Sequence, residues 1–455
     1  MAFENISGSI RPKYFSRGAP IRSDCKTFVD QTKQKPEPTE RPTRWPNSLV
    51  TLAIETSCDD TCVAILEKER QPPNQLESGN DVETVKSRLL FEERITADNR
   101  AFGGIHPLTA AISHTISLAQ LVKKALGHLP RNESTSRASS TAPDFVSVTR
   151  GPGMQSSLVN GLGVAKGLAL AWGVPLLGVH HMQAHSLTPR LVSSLNLEAS
   201  KRHDPSQEAR FPYLSFLVSG GHTMLVHSRS LCDHRVLATA HNIAIGDLLD
   251  KCARALLPQG YIEEAEAAAG RSLPFGALLE SYAGGADGAY DYKYPLARRD
   301  EMSAFESPYG WSVNKIAEAF TETDNDAERR LLARATMHQA FEHLASRLLM
   351  ALKAGAGDDA TCLVVSGGVA SNQFLRHVLR SALDVHGYGH LAVVAPPPVL
   401  CTDNAAMIAW AGMEMYEAGW ETDLGVGPIR KWTMDPTADD GGIIGVGGWL
   451  QRSEE

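Results

Sequence analysis

Tyr213-Leu-Ser-Phe-Leu-Val-Ser-Gly-Gly-His-Thr-Met-Leu-Val-His227 decides the fold. An apolar strand expected over 213–218 runs into a Gly-Gly turn and returns as a second strand from Thr223. The start of the chain's apolar part has the same form. Residues 49–54 are β-branched and apolar, Glu55-Thr-Ser-Cys-Asp-Asp-Thr61 is a polar turn, and residues 63–66 return as the partner strand. A third apolar run, 362–365, ends in Ser366-Gly-Gly368. Between these units the sequence predicts a helix over 108–125, a strand over 145–148, a helix to Ala171, a strand over 175–179 and a helix that carries His181 and His185. Residues from about 68 to 93 are polar and read as loop.

Strands alternating with helices give an α/β protein. Two strand–turn–strand units in one chain favour duplicated lobes, an actin-like arrangement over a simple Rossmann domain. The expected division is a leader over 1–46, a first lobe over 47–192, a linker over 193–211 and a second lobe over 212–435. That second lobe carries a mainly helical insertion at about 255–345, and 436–455 form a tail.

With 455 residues, 43% hydrophobic and 21% charged, the chain has the composition of a globular protein large enough for two lobes. No run approaches the roughly 20 apolar residues that span a bilayer, so no membrane partner is expected. A formal net charge of -8 excludes a general nucleic-acid-binding coat, so any RNA contact must be a local patch. The seven cysteines include no Cys-x-x-Cys pair, which argues against a thiolate zinc site. Arg11, Lys13, Arg17 and Arg22 with few acids, followed by Pro36, Pro38, Pro42 and Pro46, fit either a mitochondrial presequence or a cytosolic extension.

His181-Met-Gln-Ala-His185 puts two imidazoles one helical turn apart on one face, a spacing that can hold one metal ion. A metalloprotease would need Glu directly after the first His; Met182 stands there. Asp403 is the candidate third ligand, with helix N-cap as its competing role. A His–His–carboxylate set suits zinc or iron, with magnesium as the alternative. The turns at Gly220-Gly221 and Gly367-Gly368 allow backbone N–H groups to approach phosphate closely. Glu55 and Ser57, on the first turn, could position a phosphate or its metal. Asp247 and Asp250, one turn apart, either bind a ribose or favour the helix dipole.

These segments, in order, resemble the TsaD family of tRNA threonylcarbamoyladenosine transferases, which belong to the actin-like (ASKHA) superfamily with RNase H-like lobes. The matching stretches are Leu52-Ala-Ile-Glu-Thr-Ser-Cys-Asp-Asp-Thr61, Thr149-Arg-Gly-Pro-Gly153, Gly178-Val-His-His-Met-Gln-Ala-His185 and Leu217-Val-Ser-Gly-Gly-His-Thr223. They continue with Gly246-Asp-Leu-Leu-Asp-Lys251, Ser366-Gly-Gly-Val-Ala-Ser-Asn372 and Cys401-Thr-Asp-Asn404. The resemblance implies one divalent metal per subunit on His181, His185 and Asp403. It implies an adenylate against Leu217, Val218, Ser219, Gly220 and Gly221, with Asp250 at its ribose and Asn372 near its adenine.

The implied reaction moves a threonylcarbamoyl group from an adenylate, made by a separate enzyme, to N6 of the adenosine beside the anticodon in tRNAs reading ANN codons. Asp59 is the candidate base. The wording Gly104-Ile-His-Pro107 is most similar to the mitochondrial branch, which implies a homodimer and a mitochondrial rather than cytoplasmic location. Departures from the family pattern are Asn242, Leu108 and the absence of a Pro-Gly-Gly turn after Lys251. An actin-like small-molecule kinase and a non-catalytic adenylate-binding subunit are the competing readings. Candidate tRNA contacts are Lys293, Arg298, Arg299, Arg329, Arg330 and Arg334.

Overall fold

A computed structural model describes residues 41–70, 86–99, 102, 104–131, 142–195, 209–270, 273–284 and 326–452. The leader before residue 41 and the candidate contacts Lys293, Arg298 and Arg299 lie outside these residues.

Two sheets repeat one topology. In the first, β1 (Ser48–Glu55) pairs antiparallel with β2 (Asp60–Glu69), which pairs antiparallel with β3 (Ser87–Thr96). On its other side β1 runs parallel to β4 (Phe145–Gly151), and β4 parallel to β5 (Leu176–His180). In the second, β6 (Tyr213–Val218), β7 (Thr223–Ser228) and β8 (His234–Thr239) form the antiparallel half. There β9 (Cys362–Ser366) and β10 (Ala392–Val394) form the parallel half. Third–second–first–fourth–fifth is the order in both, which bears out the actin-like duplication expected from the sequence.

The strand β3 corrects the loop expected over 68–93. Arg88, Glu92, Glu93 and Arg94 hide its strand character from a hydrophobicity reading. Phe91 is buried, and the strand is the sheet's edge, where one side of the chain faces solvent. The C-terminal boundary also differs from the expected one. Strands β11 (Trp420–Thr422) and β12 (Trp449–Gln451) extend the first sheet beyond β5, although the sequence reading gave them to the second lobe and the tail. Three-residue strands are too short to show a period. Residues 41–46, assigned to the leader, also attach to this sheet: Arg44 pairs with Asp144 at 2.5 Å, and the Trp45 N–H donates to Glu67 Oε1 at 2.7 Å.

Helices α1 (Pro107–Leu126) and α2 (Gln155–Trp172) cover the first sheet. Gly161 of α2 is required: a Cβ there would lie 2.4 Å from Thr56 Oγ1, and the Gly161 N–H donates to that oxygen. Helix α3 (His181–Ser194) touches β4 and β5 of one sheet and β6 and β9 of the other. Eleven of its fourteen residues are buried, so it is the seam of the molecule. The second sheet is covered by α4 (Ile245–Leu256), α5 (Gln259–Ala269), α6 (Phe275–Ala283), α7 (Asp326–Lys353) and α8 (Gln373–Val385). Helix α9 (Ala405–Glu417) then packs on α3 and on β1, β2, β4 and β5.

Candidate metal centre

His181 is the first residue of α3, directly after β5. His180 ends the strand and caps the helix, its ring nitrogen accepting from the Gln183 N–H. The cap fixes where the helix begins, and so fixes the His181 ring at the seam between the sheets. His185 follows one turn later, its ring centroid 4.7 Å from that of His181. Asp403 arrives from the loop before α9. The competing role for Asp403 is filled by its neighbour: Asn404 is the N-cap of α9 and accepts from the Met407 N–H at 2.8 Å. The Asp403 carboxylate is therefore free to face the histidines.

The three side chains converge. Asp403 Oδ1 lies 3.1 Å from His185 Nε2 and 3.6 Å from His181 Nε2, and one ligand atom from each residue falls within 4.8 Å of the others. Metal–ligand bonds of about 2.0–2.1 Å in a tetrahedron separate donors by about 3.4 Å, so the set fits an ion with an open position. Two neutral imidazoles and one carboxylate are the donor types such catalytic sites use.

Behind the ligands stands Glu55. Its Oε2 is 3.2 Å from His181 Nδ1, and its carboxylate also accepts from the Ser57 N–H and the Thr149 hydroxyl. Ser57 Oγ lies 3.3 Å from the same ring nitrogen. Glu55 and Ser57, expected on a phosphate turn, thus sit against His181, with Glu55 fully buried. Burial alone would lower the affinity of His181 for its proton, but the carboxylates of Glu55 and Asp403 outweigh it and raise the pKa to about 9. Asp403 is held ionised against its burial by the same histidines.

The other expected residues fall into two groups. Leu217 and Val218 are buried at the end of β6, so only their backbone can meet a ligand. The Ser219 hydroxyl accepts from the N–H groups of Gly221 and His222, which shapes the turn, and open space lies above Gly220 and Gly221. Gly367 has φ +96°, and a Cβ there would be 2.4 Å from the Val218 carbonyl oxygen. The two glycine turns are therefore packed against each other, with Gly368 opening the short 3₁₀ turn that follows. The Ser366 hydroxyl at this junction is buried without a hydrogen-bond partner in the protein.

Asp250 accepts from the Gly276 N–H at 3.1 Å, and burial raises its pKa. Asn372 caps α8 through its side-chain oxygen, accepting from the Leu375 N–H at 3.0 Å. Asp59 accepts from Asn99 at 3.1 Å, and burial, with Asp403 nearby, raises its pKa. Among the proposed RNA contacts, Arg330 is committed to Asp326 at 2.7 Å and stacks on Tyr282, while Arg329 donates to the Leu256 carbonyl.

Three further neighbours stand near the centre: Asp60 belongs to the acidic turn 55–61 that the sequence singles out, while Arg94 and His222 were not foreseen. Arg94, on the unforeseen β3, donates to Thr402 Oγ1 at 2.5 Å and to the Asp403 carbonyl at 3.3 Å, so it holds the ligand loop. Asp60 is raised to about 7 by burial, an effect that Arg94 offsets and Asp403 reinforces. His222 is lowered to about 4 by burial and by the charges of His181 and His185. Its position directly after Gly220-Gly221 was the available signal.

The strand order and this geometry define an actin-like, two-sheet α/β protein with a candidate His–His–Asp cation site at the junction of its sheets. Comparison with known proteins gives the family. The model of the TsaD family, described as tRNA N6-adenosine threonylcarbamoyltransferase, matches residues 89–410. The "tRNA N6-adenosine threonylcarbamoyltransferase, mitochondrial" of Schizosaccharomyces pombe is 35% identical over 418 residues, 90% of each chain. The tRNA N6-adenosine threonylcarbamoyltransferase of Rhizobium meliloti is 33% identical over 411 residues, covering 87% of this chain and 98% of its own. Among solved structures, HypF of T. kodakarensis aligns over 84% of this chain and 49% of its own, at 14% identity and a TM-score of 0.44. The chain belongs to the TsaD family.

Proposed function

We propose that this chain transfers the threonylcarbamoyl group from threonylcarbamoyl-adenylate to N6 of the adenosine beside the anticodon in tRNAs reading ANN codons. The observation that carries the reading is the meeting of His181, His185 and Asp403 at the seam of the two sheets in a chain of this family. These three residues would hold one divalent cation, zinc or iron, which when bound supplies Lewis-acid polarisation of a donor oxygen.

The protein's own groups have distinct work. Glu55 holds the Nδ1 side of the His181 ring, which leaves Nε2 on the side of Asp403, where it would serve as a ligand. The open space above Gly220 and Gly221 leaves room for the adenylate phosphate to approach the turn over 217–221. Asp59, its pKa raised by burial, is the candidate base for the N6 proton. Asp250 and Asn372 remain the candidates for the ribose and adenine, although the Asn372 oxygen already serves as a helix cap. A small-molecule kinase would leave the buried His–His–Asp set without a role.

The chain would act as a homodimer in mitochondria. A mitochondrial relative supports the location. An apolar stripe supports the dimer: Leu108, Ile112 and Ile116 of α1, at one-turn spacing, are 63%, 50% and 53% exposed, and α1 packs on α2, where Val159 is also exposed. Two such helix pairs would cover one another as a four-helix bundle. No helix among the described residues is long and apolar enough to cross a membrane.

Reconstitution tests the reading. Purified chain, threonylcarbamoyl-adenylate and unmodified tRNA should yield N6-threonylcarbamoyladenosine by nucleoside mass spectrometry. His181→Ala and Asp403→Ala should each lose bound metal and at least 100-fold in rate, with melting retained. Full activity of the metal-stripped His181→Ala/Asp403→Ala double variant would refute the metal assignment.

A further inference from the structure

A cavity of about 460 Å³ opens beside the His181 end of α3. It lies between the β7–β8 side of the second sheet and the C-terminal segment 430–438. None of the residues expected to hold the donor, at 217–221, 250 and 372, lines it. Met182, Met224, Val236 and Trp432 make its walls apolar, while His222 and Thr239 add polar edges. Met224 and Thr239 are register partners, so they share one face of the sheet. Arg430 and Lys431 also line it and are exposed to solvent.

The walls are tied down on both sides. The Val236 N–H donates to Asp435 Oδ2 at 2.8 Å, and the Gly153 N–H donates to the Arg430 carbonyl at 3.2 Å. His180 Nε2 lies 3.1 Å from the Trp432 carbonyl, and the Trp432 indole donates to the Gly442 carbonyl at 3.0 Å. The segment 430–438 is thus a strap between the loop after β4 and the edge of β8.

We infer that this cavity seats the acceptor purine, flipped out of the base stack of its RNA. The inference rests on the transfer reading above. An exocyclic amine stacked among neighbouring bases is out of reach, so enzymes acting on a base extrude it into a pocket. A flipped base needs apolar walls in place of its stack, a few polar groups for its edge and cations outside for its phosphates. Each requirement has named residues here, and the volume is within the roughly 300–1,000 Å³ of small-molecule sites. His222 joins the two halves: it lines the cavity, and its turn also carries Gly220 and Gly221, on the donor side.

The test fills the cavity. Val236→Trp and Thr239→Trp, both at half-buried positions, should lower tRNA modification at least 100-fold. AMP binding by calorimetry, bound metal and cooperative melting should stay as in the parent. If Val236→Trp fails to fold, Thr239→Trp carries the test. Modification within threefold of the parent by a folded variant overturns the inference. Loss of AMP binding also overturns it, because the cavity would then belong to the donor. Absence of product with the parent chain defeats the transfer reading itself, and the inference with it.

Discussion

Glu55 and His181 stand 126 residues apart in the chain and meet with Oε2 3.2 Å from Nδ1. One ends β1, an interior strand of the first sheet; the other begins the helix that runs between the sheets. The carboxylate is placed to accept the Nδ1 proton, so that a ring giving up its other proton to a cation would present the Nε2 lone pair toward Asp403 and His185. An imidazole alone could rotate or take the other tautomer. This pairing restricts both, and the charge of His181 with the Ser57 hydrogen bond keeps the buried Glu55 carboxylate ionised against its desolvation.

Glu55→Gln keeps the shape and removes the charge. Metal affinity should fall about 10–100-fold, the range seen when an outer partner of a metal-bound histidine is changed. Chelator competition measures it. The turnover number should fall with affinity while the KM for tRNA holds, because Glu55 lies behind the ligand and touches no substrate. Unchanged affinity and turnover would show Glu55 to be a packing residue.

The apolar stripe on α1 makes a separate demand. Ile112→Glu with Ile116→Glu places two charges on a face that is already half exposed, so the monomer fold should survive. Light scattering should then report a mass near the 49.2 kDa of one chain instead of twice that. A double variant that stays dimeric would move the interface elsewhere.

Much of this centre was legible in the sequence, and the gaps have physical causes. His181 and His185 announce a shared face by their spacing. Asp403 could not be separated from a capping role, because two adjacent polar residues precede the helix and only coordinates show that Asn404 caps it. Glu55 was visible as a polar residue on a turn, but its partner lies across the fold, and no local pattern encodes that. Arg94 was lost with its strand, since an edge strand carrying four charges in ten residues shows no clean alternation. The duplication of the lobes was legible because each repeats a short apolar strand, a tight polar turn and a return. The strands β11 and β12 were not, because three residues carry no period.

Buried His234 sets a pH dependence of stability. Its Nδ1 lies 2.9 Å from Ser228 Oγ and its Nε2 2.7 Å from the Leu231 carbonyl, so the neutral ring is satisfied, and burial lowers its pKa from 6.5 to about 4. Above pH 6.5 neither the folded nor the unfolded chain protonates it, and stability is full. Between 6.5 and about 4 the unfolded chain takes the proton and the folded chain does not, so stability falls as pH falls. The slope reaches about 1.4 kcal/mol per pH unit for one such group. Denaturant melts of His234→Gln should start lower at pH 7.5, through lost hydrogen bonds, yet decline less steeply toward pH 4.5. A parallel decline would exclude His234 as a source of the acid limb.

Two glycines of α2 should respond in opposite directions to the same methyl group. Gly163 is exposed, and a Cβ there meets nothing within 4 Å. Gly163→Ala therefore only removes backbone freedom from the unfolded chain and should add about 0.5–1 kcal/mol. Two residues earlier, the Cβ of Gly161→Ala would be 2.4 Å from Thr56 Oγ1 and 3.2 Å from Ile54 Cγ2. Thr56 cannot yield cheaply, because its hydroxyl donates to the Ser157 carbonyl and accepts from the Gly161 N–H. Moving it would drag the turn that begins at Glu55, so Gly161→Ala should cost stability and also weaken metal binding. Melting and chelator competition on the two variants separate the effects. A Gly161→Ala variant as stable as the parent, with unchanged metal affinity, would mean that the close approach of α2 to Thr56 does not support the centre.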